Sequence, residues 1–136
     1  MNRQPNTDAL ERYVRATNAR EPIDWYFATD YVYHGPTGDL DRAGFLRQHD
    51  GFLAAFPDVT VTIEDIVADG DRTVTRWSAI GTHRGELMGT PPGGRAVRVT
   101  GIVITRFAGG QAAEEWEEMD LLGLMRHIGA LPGATP

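Results

Sequence analysis

The chain has 136 residues, a formal charge of −6 and 41% hydrophobic residues, a length that suits one domain with a core and a small-molecule pocket. All 13 basic residues are arginines scattered along the chain, which argues against a nucleic-acid surface or a polybasic membrane patch. The absence of lysine excludes Schiff-base and pyridoxal-phosphate chemistry, and the absence of cysteine excludes thiol nucleophiles, disulfides and thiolate metal sites.

Met1 to Ala9 is polar and has no apolar signal core. No apolar run approaches the roughly 18–20 residues of a membrane span, so a soluble cytoplasmic protein is expected, with residues 1–136 as a single domain. Thr7 and Asp8 can cap a first helix to about Arg20, with Leu10, Tyr13, Val14 and Thr17 inward. Glu21-Pro22 breaks it, and Pro22 suits the start of a short helix over Ile23 to Ala28. Asp30 to His34 reads as a short strand ended by Gly35-Pro36.

Asp41 can cap a helix from Arg42 to about Phe56, burying Phe45, Leu46, Phe52, Leu53 and Phe56. Beyond Pro57-Asp58 the period changes to two. Strands are expected over Val59 to Ala68, Thr73 to Glu86, Arg95 to Phe107 and Ala112 to Asp120. Gly70-Asp71 and Gly109-Gly110 supply hairpin turns between them. Leu121 to Ile128 forms an apolar closing helix, and Pro132 to Pro136 a loose tail. Helices first and a meander second predict an α+β domain, its helices packed on one face of a curved sheet.

Two segments concentrate acid-base chemistry: Gly81 to Glu86, and Glu114 to Asp120. Asp120 has two compatible readings, an acid or base raised by apolar neighbours and the N-cap of the last helix. Trp116 and Asp120 share a strand face, about 13 Å apart along it. Glu114 and Glu118 lie on that face, while Glu115, Glu117 and Met119 lie on the other. Alternation therefore does not settle which glutamates face inward. His83 can hydrogen-bond a developing oxyanion, or be a strand-end turn residue. His34, beside Tyr31 and Tyr33, can rim a pocket or sit in a turn. His49 and His127 receive no role, and Arg76 and Arg106 are expected to pair with carboxylates.

Ser78, the only serine, is not in a nucleophile elbow. Gly89 to Gly94 lacks the lysine and helix of a phosphate loop, and the histidines lack metal-ligand spacing. No metal and no cofactor are expected.

Phe56-Pro57-Asp58, Asp69-Gly70-Asp71, Gly81-Thr82-His83-Arg84-Gly85-Glu86, Pro91-Pro92, Gly101-Ile102-Val103 and Glu114 to Asp120 with Leu121 to Gly129 together resemble the SnoaL-like polyketide cyclase (ester cyclase) family. The resemblance covers about residues 8–130. It implies the cone-shaped α+β barrel of the nuclear transport factor 2-like superfamily and cofactor-free chemistry between helices and sheet. Polyketide cyclases of the family close a ring by intramolecular aldol condensation, with an aspartate as general acid-base. That aspartate maps onto Asp120, the pocket histidine onto His83, and a histidine before a proline onto His34. Gly93 in the Pro-Pro turn and Ala112-Ala113 depart from the family's usual residues.

The expectation is thus a cyclase-type enzyme acting on an apolar, carbonyl-rich small molecule. Asp120 moves the proton, His83 binds the carbonyl oxygen, and Trp116, Trp77, Tyr33, His34 and Glu114 shape the pocket. The same scaffold hosts epoxide hydrolases, isomerases and non-catalytic binding domains, which stay open as alternatives. A sheet face rich in Val, Ile and Trp makes a homodimer the expected assembly.

Overall fold

The computed structural model describes residues 4–131, so the expected loose tail lies outside the described residues. The first helix, α1 (Pro5–Asn18), starts on a proline whose fixed φ suits a helix's first turn. Gln4 caps it without a side-chain bond, and Asp8 sits inside the first turn, where a negative charge suits the helix dipole. The short helix expected over Ile23 to Ala28 is only one 3₁₀ turn, Asp24–Tyr26. Phe27 already enters strand β1 (Phe27–Gly35), because its ring and those of Tyr31 and Tyr33 are buried in the core.

A strand absent from the sequence reading, β2 (Gly38–Asp41), folds back antiparallel on β1. Asp41 then caps α2 (Arg42–Ala55) as expected, accepting the Gly44 N–H at 2.8 Å. The meander follows as β3 (Thr60–Asp69), β4 (Arg72–Thr82), β5 (Ala96–Ala108) and β6 (Gln111–Met119), before α3 (Leu121–His127). β4 stops at Thr82 rather than Glu86. From His83 the chain loops out, tied by the His83 N–H to Arg95 O and the Gly94 N–H to His83 O, at 2.9 and 2.8 Å.

The sheet is mixed, in the order β2-β1-β6-β5-β4-β3. β1 lies parallel to β6, and all other pairs are antiparallel. Two apolar clusters cover its inner face. One gathers Leu10, Tyr26, Phe27, Tyr31 and Tyr33, and the other Phe56, Val59, Val97, Val99, Leu124 and Ile128.

The end of α1 is fastened to β3 by polar bonds. The Asn18 amide exchanges two 2.8 Å hydrogen bonds with the backbone of Val61. Arg20, at φ 60°, sits in a left-handed conformation rare outside glycine. Its guanidinium donates to the carbonyls of Thr17, Pro57 and Val59 at 2.9, 2.7 and 2.9 Å. Among the described residues no helix is long and apolar enough to cross a membrane.

Candidate active site

β6 carries glutamates on both faces, and the pleat separates them sharply. Glu115 and Glu117 point inward and Glu114, Trp116 and Glu118 outward, as pairing with β5 and β1 requires. Each inner carboxyl is held by two donors from other strands. Glu115 accepts from the Tyr31 and Thr105 hydroxyls, both at 2.6 Å. Glu117 accepts from the Tyr33 hydroxyl at 2.7 Å and the Trp77 indole N–H at 2.8 Å.

Trp77 stands on β4, one strand beyond the nearest neighbour of β6. Its register partner on the intervening β5 is Gly101. A Cβ on Gly101 would lie 2.6 Å from the indole ring. The bare glycine therefore lets the indole cross β5 to reach Glu117.

Glu115, Glu117 and Trp77 stand on one wall of a cavity of about 190 Å³. α1 contributes Leu10, Tyr13, Val14 and Thr17, and α2 contributes Phe45, Gln48, His49 and Phe52. The sheet side adds Thr75, Trp77, Val103, Met119, Glu115 and Glu117. Among the described residues no arginine lines the space, so none of them sets a fixed positive charge on the cavity wall beside the two carboxyls.

Burial therefore dominates the electrostatics. It pushes the Glu117 carboxyl up to about 7; the Tyr33 bond opposes this, the Glu115 charge adds to it, and the Trp77 bond opposes it again. Burial also raises Glu115, against the pull of its Thr105 and Tyr31 bonds. Tyr31 and Tyr33 are raised too, first by burial and then by the adjoining carboxylates, so both remain donors. On the opposite wall, burial lowers His49 and favours its neutral ring. The arrangement thus offers a carboxyl that exchanges a proton near neutrality in an apolar chamber, faced by the neutral polar groups of Gln48 and His49.

Of the residues expected at the pocket, Trp77 lines the cavity, and Tyr33 bonds Glu117 without being on the cavity wall. Others stand elsewhere. Asp120 is exposed and caps α3, accepting the Gly123 N–H at 2.9 Å. It does not line the cavity, because the strand ends at Met119 and the chain turns there into the helix. His83 is fully buried but is not on the cavity wall. Its ring packs against Phe56, with centroids 5.6 Å apart, and its Nδ1 accepts the Gly93 N–H at 3.4 Å.

His34, Glu114 and Trp116 lie on the outer face of the sheet. His34 bonds Asp39 at 2.9 Å and Glu114 at 2.8 Å and stacks on Trp116. Their parity on β1 and β6 turns them away from the cavity. The sequence reading did not select Glu115, Glu117, Tyr31, Thr105 or His49. The available signal was the two-residue spacing of Tyr31 and Tyr33 on β1, which matches that of Glu115 and Glu117 on β6.

Helices laid over the inner face of a curved, unclosed mixed sheet, with a chamber between them, define the cone-shaped α+β fold of the nuclear transport factor 2-like superfamily. Within it the chain belongs to the SnoaL-like polyketide cyclase family, whose model matches residues 7–128. IdmH from Streptomyces antibioticus, named as a candidate polyketide cyclase, is 32% identical, with a TM-score of 0.79 over 93% of this chain and 99% of its own. TsrD from Streptomyces laurentii is 30% identical, with a TM-score of 0.84 over 96% of this chain and 99% of its own. AclR from Streptomyces galilaeus, named as a candidate hydroxylase, is 28% identical, with a TM-score of 0.86 over 93% and 86%. No curated protein sequence matches the chain significantly.

Proposed function

We propose that this protein is a cyclase-type enzyme that closes a ring in an apolar, carbonyl-rich, polyketide-like molecule by general acid-base catalysis, with Glu117 as the proton-transfer group. Family membership supports the cyclase role. One observation carries the residue: Glu117 is a carboxyl raised to about 7, held by Tyr33 and Trp77, on the wall of an apolar cavity. A carbon between two carbonyls is already acidic, so the protein has only to fold the substrate and move protons. Orientation can supply several kcal/mol, and a positioned base about 10²- to 10⁴-fold. His49 and Gln48 are placed to bind substrate carbonyl oxygens from the helix side.

The test incubates wild type, Glu117→Gln and Asp120→Asn with a panel of poly-β-ketone substrates and reads product masses. The expected product has unchanged or water-lost mass, and forms with wild type and Asp120→Asn but not with Glu117→Gln. A gain of water would instead identify a hydrolase, and retention without conversion a binding domain. Equal turnover by Glu117→Gln would overturn the assignment of that residue.

We also propose that the outer sheet face docks a second copy of this chain. Val32, Val74, Ile80 and Ile102 are exposed there. Around them Arg106 on β5 pairs with Glu114 on β6, and Arg76 on β4 pairs with Asp65 on β3. A two-fold related copy would cover the apolar side chains, with these internally paired charges at the rim. Light scattering should give a dimer mass for wild type and a monomer mass for Ile102→Asp. A monomeric wild type refutes the interface.

A further inference from the structure

The cavity wall holds a second carboxyl that the reaction above leaves unused. Glu115 lies two residues from Glu117 on the same face of one strand, and both line the chamber. Side chains so spaced emerge about 7 Å apart. That span lets two carboxyl groups engage a C–H and the adjacent carbonyl oxygen of one substrate. The two groups are also held differently. Glu115 rests on two hydroxyls, Tyr31 and Thr105, each of which can either donate or accept. Glu117 receives the indole N–H of Trp77, which can only donate, so one of its oxygens always faces a donor.

Resting on the assignment of Glu117, we propose that Glu115 is a second catalytic residue, the general acid that works in concert with it. Glu117 carboxylate takes the proton from the carbon beside the carbonyl. The C–H electron pair forms the C=C bond, the C=O π pair moves to oxygen, and that oxygen takes the proton of Glu115. Ring closure runs the exchange in reverse. The enol carbon attacks the second carbonyl, whose oxygen takes the proton now on Glu117. The enol hydroxyl returns its proton to Glu115. One C–C bond has formed and both carboxyls are back in their starting states.

The surroundings suit that division. Glu115 is faced by Tyr31 and Tyr33 on β1, Thr105 on β5, Tyr13 on α1, Tyr26 of the 3₁₀ turn and Glu117 on its own strand. Glu117 is faced by Tyr33 on β1, Trp77 on β4, Tyr13 on α1 and Glu115, with His49 on α2 lining the same space. No cationic side chain is among them to hold Glu115 ionised. Burial raises both carboxyls, and two such groups on one cavity wall can share a single proton, one serving as acid while the other serves as base.

The experiment follows deuterium exchange into 2-tetralone, whose activated C–H adjoins a ketone, by proton NMR in deuterated buffer from pH 5 to 9.5. Wild type should give a bell, rising as one carboxyl of the coupled pair ionises and falling as the second does. Glu115→Gln keeps partners for Tyr31 and Thr105 but has no transferable proton. It should exchange about 100-fold more slowly, with no alkaline fall. Glu117→Gln should lose exchange by at least as much.

Glu115→Gln at the wild-type rate, with Glu117→Gln inactive, would remove Glu115 from the chemistry and leave Glu117 in it. A slow Glu115→Gln that still falls at alkaline pH would show a structural role only, and overturns the proposal. Wild type that exchanges nothing, or Glu117→Gln that exchanges normally, overturns both assignments. Should Glu115→Gln fail to fold, a wild-type profile that rises and stays level to pH 9.5 also rejects the second carboxyl.

Discussion

Glu114 and Glu117 stand three residues apart on one strand, and the protein shifts them in opposite directions. Glu114 faces out, where His34 and then Arg106 hold its carboxyl below the usual range. Glu117 faces in, where burial raises it to about 7 despite two good donors. The difference is not the number of hydrogen bonds, since each makes two. It lies in the charge of the donors and the access of water. An imidazolium and a guanidinium favour the ionised form, whereas a phenol and an indole in an apolar chamber do not compensate for lost hydration. One strand thus offers a surface of paired charges on one side and a proton-exchanging cavity on the other.

The contrast breaks most visibly in catalysis. Glu117→Gln should lower turnover about 100-fold or more, while Glu114→Gln stays within about twofold of wild type. Initial rates of both variants under one set of conditions check this, and a large loss in Glu114→Gln would erase the distinction between the faces.

Stability should show the same asymmetry through pH. Between the ordinary 4.5 and about 7, folded Glu117 holds more protons than the unfolded chain. Raising pH through that window therefore destabilises the native state, by ~3 kcal/mol for this group alone. Urea unfolding of wild type and Glu117→Gln at pH 5 and 8 should find a larger loss in wild type than in the variant, which keeps the buried Glu115.

A smaller effect tests the support of the inner carboxyl. Gly101→Ala forces a methyl onto Trp77 and should cost roughly 1–3 kcal/mol. With the indole displaced, the ionised form of Glu117 loses a donor, and the acid limb of the pH–rate profile should move to higher pH. An unmoved limb would mean that the indole does not tune the carboxyl. Smallest is Asp120→Ala, which removes the α3 cap and should cost about 1 kcal/mol in thermal unfolding, with turnover kept.

Much of this architecture was legible in the chain. Asp41 before an apolar helical pattern announced α2, and the two-residue period after Pro57 announced the meander. Local pattern did not reveal β2 or the parallel pairing of β1 with β6, because that pairing joins segments some 80 residues apart. The site was half legible for a related reason. A strand reading Glu-Glu-Trp-Glu-Glu presents carboxylates to both sides, so periodicity alone cannot orient it. Orientation is decided by Tyr31, Tyr33, Trp77 and Thr105, which lie on three other strands. Asp120 has apolar neighbours in sequence, yet those residues belong to the helix that it caps.

The indole that crosses Gly101 also makes this protein its own optical probe. Trp77 donates to the very carboxyl that titrates near neutrality, and it lines the chamber that a ligand would fill. With Trp25 and Trp116 replaced by phenylalanine, the remaining emission would report proton occupancy at Glu117 and entry of a guest in real time. No label would be needed, and the signal would be available before any natural substrate is in hand.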